Sequence, residues 1–343
     1  MAAYTTIDDP SLYFTSKLYT STYSSGGGTG ATINVTLDAT DDFAVDLVWI
    51  KCRSVGDNHL IADRVRGANK NLHTNTDDAE TTNTDEVTAF GDDGFTVGNN
   101  DTVNRDGASS TYVAWCWKES ATAGFDIVTY TGNGSGTRGI SHSLSAVPHC
   151  FIVKGLASSR SWPMYHHTLG NTKYAGYLDS AGASGTYEPF WADTTPTSSV
   201  FTVDTDSAVN ANTESYLAYL WSEKQGFSKF GSYIGNGNAD STFVYTGFRP
   251  AWVMIKRTTA SSYNWMIFDN KRNTFNVIDD RLRANTNDAE QTGSSTHILD
   301  FVSNGFKIRS SNSAIGGGGD PYVYMAFAEA PFVNSNGVPC NAR

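Results

Sequence analysis

The side chains able to do chemistry are numerous in this chain but poorly grouped. Seven histidines include the adjacent pair His166 and His167, yet no His-Glu-x-x-His run and no Cys/His set at zinc spacing accompanies them. A surface or strand-edge role is expected for the pair. A nucleophilic triad needs a serine or cysteine beside a histidine that an acid orients, and no Gly-x-Ser-x-Gly turn is present to offer one. The acid pairs Asp41–Asp42, Asp92–Asp93 and Asp279–Asp280 could serve glycoside hydrolysis, which sets two carboxylates about 5 to 10 Å apart across a sugar. Adjacent acids in turns read instead as solvated loop residues. Asp204-Thr205-Asp206-Ser207 and the Asp101–Asp106 loop are rich in oxygen ligands but lack the closing glutamate of an EF-hand, so plain turns are expected. No catalytic residue, metal site or cofactor is assigned, and the chain is not expected to be an enzyme.

Two further groups bear on binding. Trp162, Tyr165, Trp191, Tyr263 and Trp265 lie near loops, and an exposed ring with polar neighbours can stack on a sugar. They are the candidate ligand-binding residues, although the similar placement of Trp162 and Trp265 favours core packing. The loops Asn75–Glu80 and Asn285–Glu290 are alike. Asp288 and Glu290 could hold a ligand or cap turns through Asx-type hydrogen bonds, and duplication favours the structural role.

What positions these residues is an internal repeat. Apolar runs end in Lys51, Lys154 and Lys256, which are 103 and 102 residues apart. Strands headed by Tyr112, Tyr216 and Tyr322 recur at 104 and 106 residues, each followed by Glu119, Glu223 or Glu329. Phe95, Phe201 and Phe306 keep the same order at 106 and 105. A period near 103 residues means repeated structural units, placed at 1–121, 122–224 and 225–343.

Each landmark is a short run of β-branched and aromatic residues bounded by Gly, Asn, Asp, Ser and Thr, the mark of a strand. Alternation puts Val113, Trp115 and Trp117 on one face, with Leu217, Tyr219, Trp221 and Val323, Met325, Phe327 as counterparts, so this set should face a core. The opposite face carries Tyr112, Ala114 and Cys116, the cysteine acting as a small hydrophobe. Gly132-Asn133-Gly134 and Gly235-Asn236-Gly237 should turn the chain between strands. About 100 residues of short strands suit an antiparallel β-sandwich, and three in tandem are expected. The linkers Ser120–Gly124 and Lys224–Gly226 are short, which predicts a rigid three-lobed body rather than beads on a string.

Composition narrows the partners. Charged residues are 17% and aromatics 13% of 343 residues, neither a disordered nor a coiled-coil profile. A net charge of −11 repels phosphate backbones, so nucleic acid is not an expected partner. No apolar stretch is long enough for a membrane span and the first residues carry no export signal. The scattered Cys52, Cys116, Cys150 and Cys340 read as reduced thiols made in a cytosol.

The opening Tyr4-Thr5-Thr6-Ile7-Asp8-Asp9-Pro10, the Gly-Asn-Gly turns, Gly247-Phe248-Arg249-Pro250 and the closing Tyr324-Met325-Ala326-Phe327-Ala328-Glu329-Ala330-Pro331-Phe332 together resemble the repeated-domain structural proteins of tailed bacteriophages, particularly marine and cyanobacterial ones. The resemblance spans about residues 4–343. It implies lectin-like or laminin-G-like jelly-roll sandwiches in a virion component, often a tail fibre, and carries no catalytic residues with it. The first unit departs from the pattern, with a Gly26–Gly30 insertion and no Gly-Asn-Gly.

The expected function is therefore a bacteriophage virion structural protein of the tail or fibre, assembled in the host cytoplasm, whose sandwich loops contact a host surface glycan or protein. A homo-oligomer, specifically a trimer, would multiply weak sites. The alternative is a capsid decoration or head-fibre protein that binds other virion subunits. A glycan depolymerase is disfavoured, because a period near 100 residues suits discrete domains better than a parallel β-helix. The end segments Met1–Leu12 and Asn334–Arg343 lie outside the repeats and are expected to dock to another subunit, dispensably for folding.

Overall fold

The computed structural model describes residues 3–22, 32–38, 40, 43–105 and 109–340. The Asp41–Asp42 pair, Asp106, the Gly26–Gly30 insertion and the outermost terminal residues lie outside them. The protein is nearly all β, built from antiparallel sheets packed as sandwiches. Among the described residues, three single-turn α-helices, Asp101–Asn104, Glu188–Trp191 and Ser207–Asn210, and the 3-10 turn Pro10–Leu12 interrupt it. They are too short to leave a periodic apolar pattern in the sequence.

There are three larger sheets. The first orders its strands Phe14–Thr20, Thr111–Trp117, Leu47–Cys52, Leu60–Asp63, Lys70–His73 and Thr81–Thr82. The second runs Phe125–Thr131, Ser215–Trp221, Cys150–Gly155 and Met164–His166, and the third Ser228–Ile234, Pro321–Pro331, Phe248–Arg257, Met266–Asp269 and Leu282–Arg283. In each, the tyrosine-headed strand lies between the opening strand and the lysine strand. The registers correspond: Trp115 pairs with Trp49, Tyr219 with Ile152 and Met325 with Met254. Smaller sheets, around Gly94–Val97, Val200–Val203 and Gly305–Ile308, cover one face of each.

Both faces of every tyrosine-headed strand are buried. Tyr112, Ala114 and Cys116 pack with Val35, Phe95 and Val97 in one sandwich core. Tyr216, Ala218 and Leu220 pack with Ile140 and Phe201, and Tyr322, Tyr324 and Ala326 with Val244 and Phe306. The other faces do not end in separate cores. Trp115, Trp117, Tyr219, Trp221, Met325 and Phe327 all enter one central cluster with Trp49, Ile152 and Trp252. Trp252 is fully buried there, its ring centroid 5.8 to 6.5 Å from Phe327, Trp117, Trp115, Phe14 and Trp49. Double burial explains why these antiparallel strands read as unbroken apolar runs rather than as the alternation of a sheet with one wet face.

Polar hooks close the three larger sheets into a ring. From the second sheet's edge, Trp162 Nε1 donates to Thr76 O at 2.9 Å and Lys154 Nζ to Asp77 O at 2.9 Å. From the third, Trp265 Nε1 donates to Tyr177 O at 3.0 Å. From the first, Lys51 Nζ reaches Asn287 O at 3.4 Å, and His59 Nε2 lies 2.9 Å from Arg283 O. Because Trp49 Nε1 donates to His59 Nδ1 at 2.9 Å, Nε2 carries the proton and donates. Each hook gives a buried tryptophan, lysine or histidine donor a carbonyl acceptor on another sheet's loop.

The Gly-Asn-Gly turns carry the chain from a larger sheet to its smaller cover. Gly134 and Gly237 have φ of 68° and 75°, the left-handed region that favours glycine. Gly132 and Gly235 serve by close approach: a Cβ there would lie 2.0 Å from Ala211 O and 2.3 Å from Gly317 O.

The first described residues are packed into this body, which counts against the expectation that they are dispensable for folding. Ile7 is buried in the central cluster and Thr5 Oγ1 donates to Gln225 O at 2.8 Å. Asp8 Oδ1 accepts from Ser335 N at 2.7 Å, tying one end to the other.

Candidate functional site

The structure removes four of the five candidate aromatics from the surface. Trp162 and Trp265 are 0% exposed, Trp191 1% and Tyr165 3%. The hooks to Thr76 and Tyr177 occupy the first two, while Trp191 packs edge-on against Phe151 at 4.8 Å. Tyr263 is half-buried with Arg257 stacked 4.4 Å over its ring. Loops from a neighbouring sheet cover Trp162 and Trp265, and Trp191 is enclosed in its own sandwich core, so none of the three can stack on a sugar.

Of the histidine pair, expected at the surface or at a strand edge, His167 is exposed. His166 sits on an edge strand but is 0% exposed. Its Nε2 faces Tyr324 O at 3.2 Å, which can only accept, so Nδ1 accepts from Thr168 Oγ1 at 2.8 Å. Burial pushes its pKa down to about 3, and the ring stays neutral. At the matching register positions the other sheets place Asp63 and Asp269, each paired with an arginine three residues on, Arg66 and Arg272, at 2.6 Å.

The acidic loops are structural. Asn75 and Asn285 accept the backbone N–H of His59 and Trp265 at 2.8 and 2.9 Å. Glu290 binds Arg53 and Arg272 at 2.8 Å each, and Asp288 binds Arg283 at 2.7 Å. Asp206 caps the turn at Ser207, accepting from Ala208 N at 2.7 Å, and Asn100 does the same for Thr102 N at 2.9 Å beside Asp101. Asp279 and Asp280 both donate backbone N–H to Asn273 Oδ1, at 3.1 and 2.8 Å. Among the described residues, no three His, Cys, Asp or Glu side chains are grouped to hold a metal ion.

The glutamates after the tyrosine-headed strands mark the junctions between successive sheets. Glu119 Oε1 accepts from Ile127 N at 3.3 Å and Glu223 Oε1 from Phe230 N at 3.0 Å, each on the opening strand of the next sheet. Their surroundings differ. Burial and the adjoining carboxyls of Asp126 and Asp46 push Glu119 up to about 7. Glu223 instead pairs with Lys229 at 2.7 Å, and its N–H donates to His149 Nδ1 at 3.1 Å. Glu329 pairs with Arg249 at 3.0 Å.

An open cleft of about 470 Å³ lies at the Glu223 junction, lined by Tyr4, His149, Glu223, Gln225, Lys229 and Tyr245 among others. Tyr4 donates to Gly247 O at 2.9 Å and its hydroxyl lies 3.2 Å from that of Tyr245, whose side chain is 53% exposed. Burial holds the Tyr4 hydroxyl well above its ordinary pKa, so it stays protonated. Burial lowers the His149 pKa, which leaves a neutral ring at the rim. The cleft thus offers an aromatic face, hydroxyl, amide and ammonium donors, and one carboxylate among its described lining residues. The aromatic that matters here, Tyr245, was not singled out from the sequence. Its only local signal is the Phe243-Val244-Tyr245 alternation, in which both rings point away from the sandwich core.

Among the described residues, no helix is long and apolar enough to cross a membrane. A family model described as Domain of unknown function (DUF7483) matches residues 9–331. No curated protein and no solved structure matches the chain.

Proposed function

The chain belongs to the DUF7483 family, and we propose that it is a non-enzymatic virion structural protein of a tailed phage, placed at the tail or fibre and contacting a host surface glycan. The observation that carries this reading is the Glu223 junction cleft. At about 470 Å³ it falls within the roughly 300–1,000 Å³ of ordinary ligand pockets. Its exposed tyrosine and hydrogen-bonding side chains suit a polyhydroxylated ligand. A single lining carboxylate suits binding better than hydrolysis, which uses two. The ring-closed body suits a particle component that bears load, and assembly as a trimer would add avidity.

The test is a glycan array probed with the full chain and with Tyr245→Ala. Expected is a glycan signal that the variant loses while its melting temperature holds. Equal signals from both proteins, or none from either, overturn the reading.

One observation favours the second reading, capsid decoration. The strand Phe243–Tyr245 lies at the edge of its sheet, and Phe243 and the neighbouring Ile234 are 44% and 56% exposed. An apolar free edge is a surface on which another subunit can add a strand. Gold-tagged antibody on intact particles separates the two: label at the tail or fibre tip supports host recognition, and label spread over the head supports decoration.

A further inference from the structure

Three arginines are buried beside the larger sheets, Arg66 where the first faces the second and Arg272 and Arg281 in the third unit, and they are not treated alike. Arg66 meets Asp63 at 2.6 Å and Glu80 at 3.0 Å, and Arg272 meets Asp269 at 2.6 Å and Glu290 at 2.8 Å. Arg281 is only 5% exposed, yet among the described residues no carboxylate pairs with it. Its Nη1 points to Met266 Sδ at 3.4 Å, its Nη2 donates to the neutral Gln291 Oε1, and its Nε has no hydrogen-bond partner. A buried cation without a counter-charge is held at a cost, and a donor left without an acceptor adds to it.

Arg281 lines a pocket of about 220 Å³ with Arg283, Asp288, Ala289 and Gln291. Arg281 and Arg283 are two residues apart on an extended segment, so their side chains share a face. The pocket's one acid, Asp288, is taken by Arg283 at 2.7 Å and by Thr286 Oγ1 at 2.9 Å. His297, close enough to feel both arginines, is pushed down to about 4 by burial and by their charges, so it adds no charge at neutral pH. The lining therefore carries one positive charge in excess, within a protein whose net charge is −11.

We propose that this pocket is an oxyanion site, which takes one sulfate, phosphate or carboxylate group against the Arg281 guanidinium. Guanidinium forks match such oxyanions in charge and geometry, and the pocket is smaller than those that enclose a drug-sized molecule. The site is separate from the Tyr245 cleft and does not depend on it. The anion is either free in solution or a substituent of a larger acidic glycan.

The test uses the full chain, with sulfate replacing chloride at constant ionic strength. Expected for the wild type is a saturable rise in melting temperature with sulfate, which Arg281→Gln abolishes. The same curve in both proteins, or no saturable rise in the wild type, overturns the proposal. A measurement that needs no folded variant at neutral charge is the Arg281 Nε–Hε nuclear resonance, assigned through Arg281→Lys. A saturable shift on adding sulfate supports the site, and an unmoved resonance overturns it. Competition then distinguishes the sources. A sulfated or uronate oligosaccharide that displaces sulfate at lower concentration than inorganic anions do identifies a glycan substituent, and equal potency identifies a free anion.

Discussion

Tyr219, on the second sheet, donates its hydroxyl to Asp63 Oδ2 on the first at 2.8 Å, inside the shared core. Asp63 is 0% exposed and also accepts from Arg66 Nε at 2.6 Å and Arg66 N at 2.8 Å. Tyr219 thus supplies the acceptor's third partner from another sheet. Removing the hydroxyl in Tyr219→Phe leaves a buried carboxylate short of one hydrogen bond, which costs about 1–3 kcal/mol. Urea unfolding should show that loss with an unchanged slope. A midpoint equal to the wild type's would mean that Asp63 is satisfied without the second sheet.

The first junction gives stability a pH dependence on the acid side. Burial, then the Asp126 carboxyl, pushes Glu119 up to about 7 from its ordinary 4.5. The folded protein therefore holds a proton that the unfolded chain has released across this window. Stability falls as pH rises from about 4.5 to about 7. Glu119→Gln removes that titration, so the difference between variant and wild type should move in the variant's favour across the window. Parallel stability curves from pH 4.5 to 7.5 would show that the carboxyl titrates normally.

The repeat lysines act in the alkaline range. Lys51, Lys154 and Lys256 are each at most 1% exposed, and burial pushes each down to about 8 from 10.5. A lysine that loses its proton more readily when folded carries a penalty that is full below pH 8 and fades as pH rises toward 10.5. Relative to Lys154→Met, the wild type should gain stability between about pH 8 and 10. Comparing the two proteins cancels the thiol and phenol titrations they share. A difference that does not change with pH would place the Lys154 pKa near its ordinary value.

Thiol reactivity tests the packing directly. Cys52, Cys116 and Cys150 are 0% exposed, and burial raises the pKa of Cys116 and Cys150, so thiolate is scarce as well as covered. A thiol reagent added to the native protein should leave these three unmodified and reach them after denaturation. Rapid native labelling of any of the three would contradict the double-faced burial of the sheets.

Much of the β architecture was legible in the chain because it is local. β-branched and aromatic runs with glycine-rich breaks specify strands, and alternation separates Trp115 from Cys116 whatever lies beyond the sheet. The same alternation is silent about what each face meets. Val113, Trp115 and Trp117 read as core-facing, but that their core is shared with Tyr219 and Met325 depends on how three sheets meet. Duplicated loops at Asn75 and Asn285 read as structural for a local reason too, since an Asx side chain that caps a neighbouring N–H recurs wherever the turn recurs.

Residue type and spacing by themselves determined the strand content, the two faces of each strand, the repeat landmarks and the places where glycine is required. The tertiary structure alone decided exposure and partnership. Trp162 and Trp265 look open beside their loops until Thr76 and Tyr177, far away in sequence, cap them. Tyr245 gained importance only when Tyr4 and Glu223 were brought to the same cleft. Arg281 differs from Arg66 and Arg272 in that, among the described residues, no carboxylate pairs with it. The physical reason is common to all three: desolvation and pairing are set by atoms close in space, and here those atoms come from residues tens or hundreds of positions apart along the chain.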